Sequence, residues 1–423
     1  MRILQINKYY PFEKSPENGK GSSQPYPYGG IESNMLRTAE LLERHGHEVI
    51  FFCMQHPQGL SSKFSNYFVS YTDLKSGGLI KKFKMAGRVL YSVEARKKLG
   101  SLLNDHPVDI AHLNNFHHHL SPSILFELRK RKIPVVMSLQ EYKMVCPSYR
   151  MLDRDKVCEL CKSGKFYNSA RLRCHKDSFS KSLLVALESY LHRNILHSYK
   201  DVKYYICPSK FIIEKLREMG LKGNFVHLPY FIDHDKFRPY IKTKKDVNTG
   251  VFWGRLSPEK GIDLLIDAVK DLPVKMTIIG DGPLRKDIED RMAREKISNI
   301  KLLPGLYGKE LLSAVSGNAF SVVPSTWYEV FPIVMLEAFS LAMPVIGSRI
   351  GGIPEGVRDG ETGFLFEPGN ADDLRNKIKD LISDPARAFQ MGKNAQLAAE
   401  KEYDPEIFYQ RLIEVYNKAI GKP

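Results

Sequence analysis

The stretch TWYEVFPIVMLEAFSLAMPVIGSRIGGIPE, residues 326–355, is apolar enough for buried helix and strand, yet it holds Glu329 and, eight positions on, Glu337. Carboxylates are rarely buried without partners, because losing their water is costly. Phe331-Pro332 precedes a helical run, and proline is pre-shaped for a first helical position. The amides of Ile333, Val334 and Met335 then stand unpaired at a helix tip, an anion site reinforced by the helix dipole. Glu329 lies just before that tip, and Glu337 more than a turn inside on another azimuth. Carboxylates accept paired hydrogen bonds from vicinal diols, so a phosphate at the tip flanked by these groups describes a sugar nucleotide. The structural alternative pairs Glu337 with a core Arg or Lys and has Glu329 cap the helix.

A second chemical station is GRLSPEKG, residues 254–261, where Arg255 and Lys260 share one turn after a strand and before a helix. Arg offers a planar fork and Lys a point charge, a pair suited to a diphosphate. Together they stabilise a leaving diphosphate as its bond to a sugar breaks. The alternative is an ordinary solvated basic loop.

These groups need a scaffold that aims them at one place. RILQINKYY (2–10) is strand-like, IESNMLRTAELLERHG (31–46) has helical spacing and ends at Gly46, and HEVIFFCM (47–54) is the next strand. Strands recur at 108–113, 133–139 and 202–208. A polar, basic segment at 233–248 reads as a linker, after which strand–helix alternation restarts. DPEIFYQRLIEVYNKAI closes the pattern as a helix capped by Asp404, with Pro405 in its first turn. Two α/β units with parallel sheets follow, and such sheets bind ligands beyond the carboxyl ends of their strands. The cleft between the units is the expected site.

Glu329 with Glu337, GRLSPEKG, IIGDGP (278–283), PSTWYEVFPIVMLEA (324–338), GGIPEGVRDGETGFLFEPG (351–369) and GGIES (29–33) together resemble glycosyltransferase family 4. The match is dense from about 250 to 400 and thinner over 1–240. The resemblance implies a retaining, metal-independent enzyme of the GT-B fold: two Rossmann-like domains facing across a cleft, with a C-terminal helix crossing back to the first. It implies an acceptor-binding domain at 1–235 with an insertion at about 141–180, a nucleotide-sugar domain at 236–400, and a returning helix at 401–423. Arg255 and Lys260 would grip the donor diphosphate beside Gly254, with backbone N–H groups at Gly29, Gly30 and, after Phe331-Pro332, from Ile333 onward. Glu337 would bind the ribose and Glu329 the donor sugar, so that Glu329, Arg255 and Lys260 form the catalytic set. The base would lie near Gly280, Gly282, Gly305 and Leu306. No catalytic cofactor is implied.

The chain departs from the family on the acceptor side. Relatives often carry His-x-His after the fourth strand, where this chain has HLNNFHHHL with Asn114, and His-Asp where it has Gln140-Glu141. Acceptor-facing roles then fall to Asn114, His117, His118 or Glu141. Metal binding by the adjacent histidines is disfavoured, since successive side chains diverge. Cys146, Cys158, Cys161 and Cys174 have C-x11-C-x2-C-x12-C spacing in the insertion. Four thiols with a C-x2-C knuckle suit a structural zinc, and equally suit reduced or redox-active thiols. Cys53 and Cys207 fall in strands and read as core.

The 423 residues hold 63 Lys and Arg against 48 Asp and Glu, a net charge of +15, and residues 1–240 alone hold 38 of those cations and 22 of the acids. The surplus points the first half at an anionic partner. Residues 75–98 and 181–200 have amphipathic spacing and basic flanks, so they read as membrane-surface helices or as ordinary helices with solvated faces. Neither a signal peptide nor a membrane-length apolar run is seen, and six cysteines suit a reducing compartment. The expected protein is cytoplasmic, peripheral on the inner face of the membrane, a monomer or weak dimer. It acts on a nucleotide sugar and a lipid-linked glycan. A nucleic-acid-binding protein lacks any supporting motif, and a nicotinamide-dependent oxidoreductase lacks G-x-G-x-x-G.

Overall fold

In a computed structural model, residues 1–10, 30–57, 59, 62–71 and 79–422 are described. Gly29 and residues 75–78 lie outside them. The chain forms two six-stranded sheets, every pairing within them parallel. Across the first sheet the order is Glu48–Met54, Arg2–Tyr9, Ile110–Leu113, Val135–Ser138, Val202–Cys207 and Phe225–His227. Across the second it is Ile300–Leu303, Lys275–Ile279, Asp246–Trp253, Asn318–Val323, Val345–Ser348 and Gly363–Phe366.

The strands are apolar on both faces because helices cover both: Ile3, Leu4, Ile6, Ile50 and Phe52 are all buried in the first, Met276, Ile278, Phe320 and Ile346 in the second. In chain order the second sheet runs 3-2-1-4-5-6, so its order reverses between Asp246–Trp253 and Asn318–Val323. Ligands of doubly wound sheets bind beyond such a reversal. The loops leaving those two strands carry Arg255, Lys260 and Glu329.

Asp404 caps the helix Pro405–Ile420 by accepting from the amides of Glu406 and Ile407. That helix returns to the first sheet, where Phe408, Leu412, Val415, Tyr416 and Ala419 join its core. The Tyr416 hydroxyl lies 2.7 Å from His112 Nδ1, and Tyr409 stacks on His45 at 3.6 Å. Glu355 of the second unit reaches the other way, accepting from the amides of Lys210 and Phe211 at 2.8 and 2.6 Å. It thereby satisfies the N-terminus of helix Lys210–Glu218 across the boundary.

Several elements differ from the sequence reading, which also did not identify strand Phe225–His227 or helix Arg285–Arg294. The basic segment 75–98 is not one helix: Leu79–Leu90 ends, and Ser92 caps a second helix, Val93–Asp105, by accepting from the Ala95 amide. Strand Gly363–Phe366 and helix Pro385–Glu402 went unread, the first being only four residues long and the second alanine-rich with weak amphipathic contrast. Among the described residues, no helix is long and apolar enough to cross a membrane.

Candidate functional site

The donor side is built by two loops pressed together. Pro258–Lys260 forms a short 3-10 turn, and Gly261 follows with φ +69. A Cβ there would stand 1.9 Å from the Pro324 carbonyl, so only glycine lets the loops approach this closely. The Thr326 amide donates to the Glu259 carbonyl at 3.0 Å and locks the contact. As a result the Lys260 ammonium meets Glu329 at 2.5 Å, while Ser325 donates to the same carboxylate oxygen at 2.7 Å. Glu329 is buried. Burial pushes its carboxyl up, but Lys260 and the hydrogen bonds outweigh this and hold it below the usual carboxylate range. Arg255, on the same loop, is exposed and takes part in no ion pair among the described residues.

The helix after Glu329 spans Ile333–Ser340. Pro332 is its N-cap, with extended ψ 117, rather than its first helical residue. The Met335 amide donates to the Pro332 carbonyl at 3.1 Å, leaving Ile333 and Val334 as the amides open to an anion. Glu329 does not cap this helix, which has no side-chain cap. Opposite stands Gly30, the first residue of helix Gly30–Arg44; a Cβ on it would lie 3.3 Å from Ile333 Cδ1. Two helix N-termini, one from each unit, therefore face each other at the cleft.

Glu337 does not join Glu329. Its carboxylate accepts from the Trp253 indole at 3.0 Å and lies 3.4 Å from Arg37, which reaches over from the first unit. Gly280 and Gly282 are tight fits: a Cβ would sit 1.9 Å from the Gly254 carbonyl or 2.2 Å from that of Leu256. Asp281 accepts from the Gly305 amide at 2.9 Å, so the loops after three adjacent strands are tied edge to edge. The Leu306 and Phe331 side chains pack into the second unit's core.

On the first-sheet side, Asn114, His117, Ser138, Gln140, Glu141 and Lys143 line one small recess. Burial pushes the Glu141 carboxyl up to about 7, against the pull of Lys143 and Lys8. Asn114 donates to Gln5 at 2.9 Å, and His117 lies 3.1 Å from the Tyr199 hydroxyl. His118, at φ +68, turns to Glu188 at 3.5 Å. Glu188 and Lys143 form a buried ion pair at 2.7 Å. His117 Nδ1, His118 Nε2 and Glu188 Oε1 are buried without hydrogen-bond partners among the described residues. Burial holds both imidazoles well below the usual histidine range, hence neutral.

The six cysteines are free thiols. Among the described residues no three His, Cys, Asp or Glu side chains are grouped as metal ligands, although Cys146, Cys158, Cys161 and Cys174 lie near enough to act on one another. Burial and their mutual proximity push the Cys161 and Cys174 thiols up, Cys174 to about 12. The knuckle between Cys158 and Cys161 has a different contact. Its Glu159 accepts from the Tyr328 hydroxyl at 2.8 Å and pairs with Lys215 at 2.8 Å, which ties the insertion to the loop bearing Glu329.

Sequence reasoning missed Lys143, Glu188, Arg37, Trp253 and Ser325. Ser325 lay four residues from Glu329 and was within reach of a local reading; the others pair over 45 residues or more, beyond any local signal.

Two family models match the chain in succession: Glycosyltransferase Family 4 over residues 28–236 and Glycosyl transferases group 1 over residues 233–398. The chain belongs to glycosyltransferase family 4. An uncharacterized glycosyltransferase of Methanocaldococcus jannaschii is 36% identical over 196 residues, covering 46% of this chain and 54% of that protein. A GDP-mannose-dependent monoacylated α-(1-6)-phosphatidylinositol monomannoside mannosyltransferase of Corynebacterium glutamicum is 28% identical over 238 residues, covering 51% and 61%. The matches thus span about half the length of these relatives. A crystal structure of an Anabaena protein in complex with UDP and glucose superposes with a TM-score of 0.65 at 18% identity, covering 99% of this chain and 100% of that one. The shared fold is GT-B. Family membership sets aside the nucleic-acid-binding and oxidoreductase readings.

Proposed function

We propose that this glycosyltransferase moves a hexose from a UDP- or GDP-type nucleotide sugar to a lipid-linked or polysaccharide acceptor in cell-surface glycan synthesis, with retention of anomeric configuration. The observation that carries this reading is the Lys260–Glu329 pair: a buried ionised carboxylate and its cation at the sheet's switch point, beside two open helix amides and the exposed Arg255. The diphosphate is gripped by Arg255, by Lys260 and by the amides of Ile333 and Val334, with Gly30 facing them. Glu329 takes donor-sugar hydroxyls, and Glu337 takes the ribose diol.

In the reaction the sugar C1–O bond to the diphosphate breaks while the acceptor oxygen bonds C1 on the same face. The acceptor proton passes to the departing phosphate oxygen, and the cations and helix amides take up the charge without a metal. Acceptor hydroxyls lie in the recess of Glu141 and His117. The lipid-linked acceptor is supported by the Corynebacterium relative, whose name places its substrate on phosphatidylinositol. With such an acceptor the protein works at the cytoplasmic membrane face, as a monomer or weak dimer.

A donor screen tests the reading. UDP- and GDP-sugars are supplied with a membrane extract, nucleoside diphosphate release is measured, and the anomeric configuration of the product is read by NMR. An inverted product, or no release with any donor, overturns it.

A further inference from the structure

Helix Phe179–Tyr190 carries apolar side chains on its outward face as well as its buried one. Its buried face carries Val185 and Ala186 together with Ser182, Glu188 and Ser189, the polar groups held by the Glu188–Lys143 ion pair and by the His175 amide donating to Ser182 at 2.9 Å. Its outward face carries Phe179, Leu183 and Leu187, 55, 38 and 48% exposed, at the four-residue spacing of one helical stripe. Ile195, just beyond the helix, is 67% exposed. On a helix that packs against it, Leu79–Leu90, Phe83 is 77% exposed beside the exposed Lys84. Scattered exposed apolar residues need no explanation, but a whole solvent-facing stripe of them does.

The charge around the stripe names its partner. Residues 160–187 hold six Lys and Arg and one acid, Asp177. Arg171, on the short helix Tyr167–Arg171 packed against helix Phe179–Tyr190, is exposed, as are Arg173 and Lys181. None of these three enters an ion pair among the described residues. Apolar side chains rimmed by unpaired cations complement a bilayer whose headgroups are anionic and whose acyl chains take the stripe.

We infer that Phe179, Leu183 and Leu187 insert into an anionic phospholipid surface while Arg171, Arg173 and Lys181 bind its phosphates. Placing a bilayer here rests on the lipid-linked acceptor proposed above, and the experiment separates the two. The full chain is spun with vesicles of phosphatidylglycerol and, separately, of phosphatidylcholine, at low and high salt. Binding to phosphatidylglycerol that salt weakens is expected, reduced about tenfold by the pair Leu183→Glu and Leu187→Glu, and similarly by Arg171→Glu with Arg173→Glu. Acceptor-independent release of nucleoside diphosphate from the donor stays unchanged in these variants, so loss of lipid binding is not loss of the enzyme.

Because an acidic pair on a helix can disturb folding, Leu187→Trp gives an independent measurement: brominated phosphatidylglycerol quenches the new fluorescence if residue 187 enters the bilayer. Equal binding to both lipids, no quenching, or vesicle binding unchanged in the acidic variants overturns the inference. A dimer in sedimentation velocity that Leu187→Glu converts to monomer also overturns it, because the stripe then belongs to a second copy.

Discussion

The two sides of the cleft handle charge in opposite ways. On the donor side, ionic groups sit on short loops at strand ends, and Arg255 forms no ion pair among the described residues. On the acceptor side, Lys143 and Glu188 spend their charge on each other in the interior, and Glu141 is pushed towards neutrality. A diphosphate brings strong negative charge and needs cations ready to receive it. Acceptor hydroxyls bring none and need acceptors and donors held at fixed angles. The difference separates a site made to exchange an internal ion pair for a ligand from one made to stay rigid.

The contrast is tested most severely at Lys260. Lys260→Ala should lower turnover by about 10²–10³-fold. It should also cost about 3–5 kcal/mol of stability, because Glu329 is left charged and buried. Adding Glu329→Gln should return much of the stability and none of the turnover, measured by denaturation and nucleotide release. Wild-type turnover in Lys260→Ala would break the donor half of the comparison.

Lys143→Met strands Glu188 in the same way and should cost a similar about 3–5 kcal/mol. Here acceptor-independent donor cleavage should survive in the folded fraction. Arg255→Ala should do the reverse, lowering turnover about 10–100-fold while moving the unfolding free energy by under about 0.5 kcal/mol. Equal effects of these two variants on rate and stability would erase the distinction.

The smallest effect is one of pH. Glu141 titrates near 7 when folded, against 4.5 for the ordinary side chain. Between those values the folded protein holds a proton that the unfolded chain has released, so this group's contribution to stability fades as pH rises through that window. If the ionised form receives acceptor hydroxyls, kcat/KM for acceptor rises with pH to a plateau above about 7. Glu141→Gln should flatten both dependences, seen in denaturation at pH 5.5 and 7.5 and in a kcat/KM profile.

The donor side was the more legible because its chemistry lies close in sequence to the strand ends that position it. GRLSPEKG put Arg255 and Lys260 on one loop, and Glu329 followed a single strand. What stayed hidden was which partner each charge chose. Lys260 reaches Glu329 only because Gly261 lets two loops touch, and Glu337 is taken by Arg37 from the other unit. The same limit applies to helix Phe179–Tyr190: residues 181–200 have amphipathic spacing, but periodicity does not show that Glu188 is buried against Lys143 from a distant loop while Leu183 and Leu187 face out. The cysteine spacing left a metal site and free thiols equally open, and it gave no sign that the knuckle also presents Glu159 to Tyr328.

The helix Pro405–Ile420 completes a core whose other walls are synthesised long before it. During synthesis the earlier half therefore carries an open apolar groove until this segment emerges. A chain stopped before Pro405 should be sticky and prone to proteolysis, and a peptide of residues 405–420 supplied in trans should close the groove and rescue it.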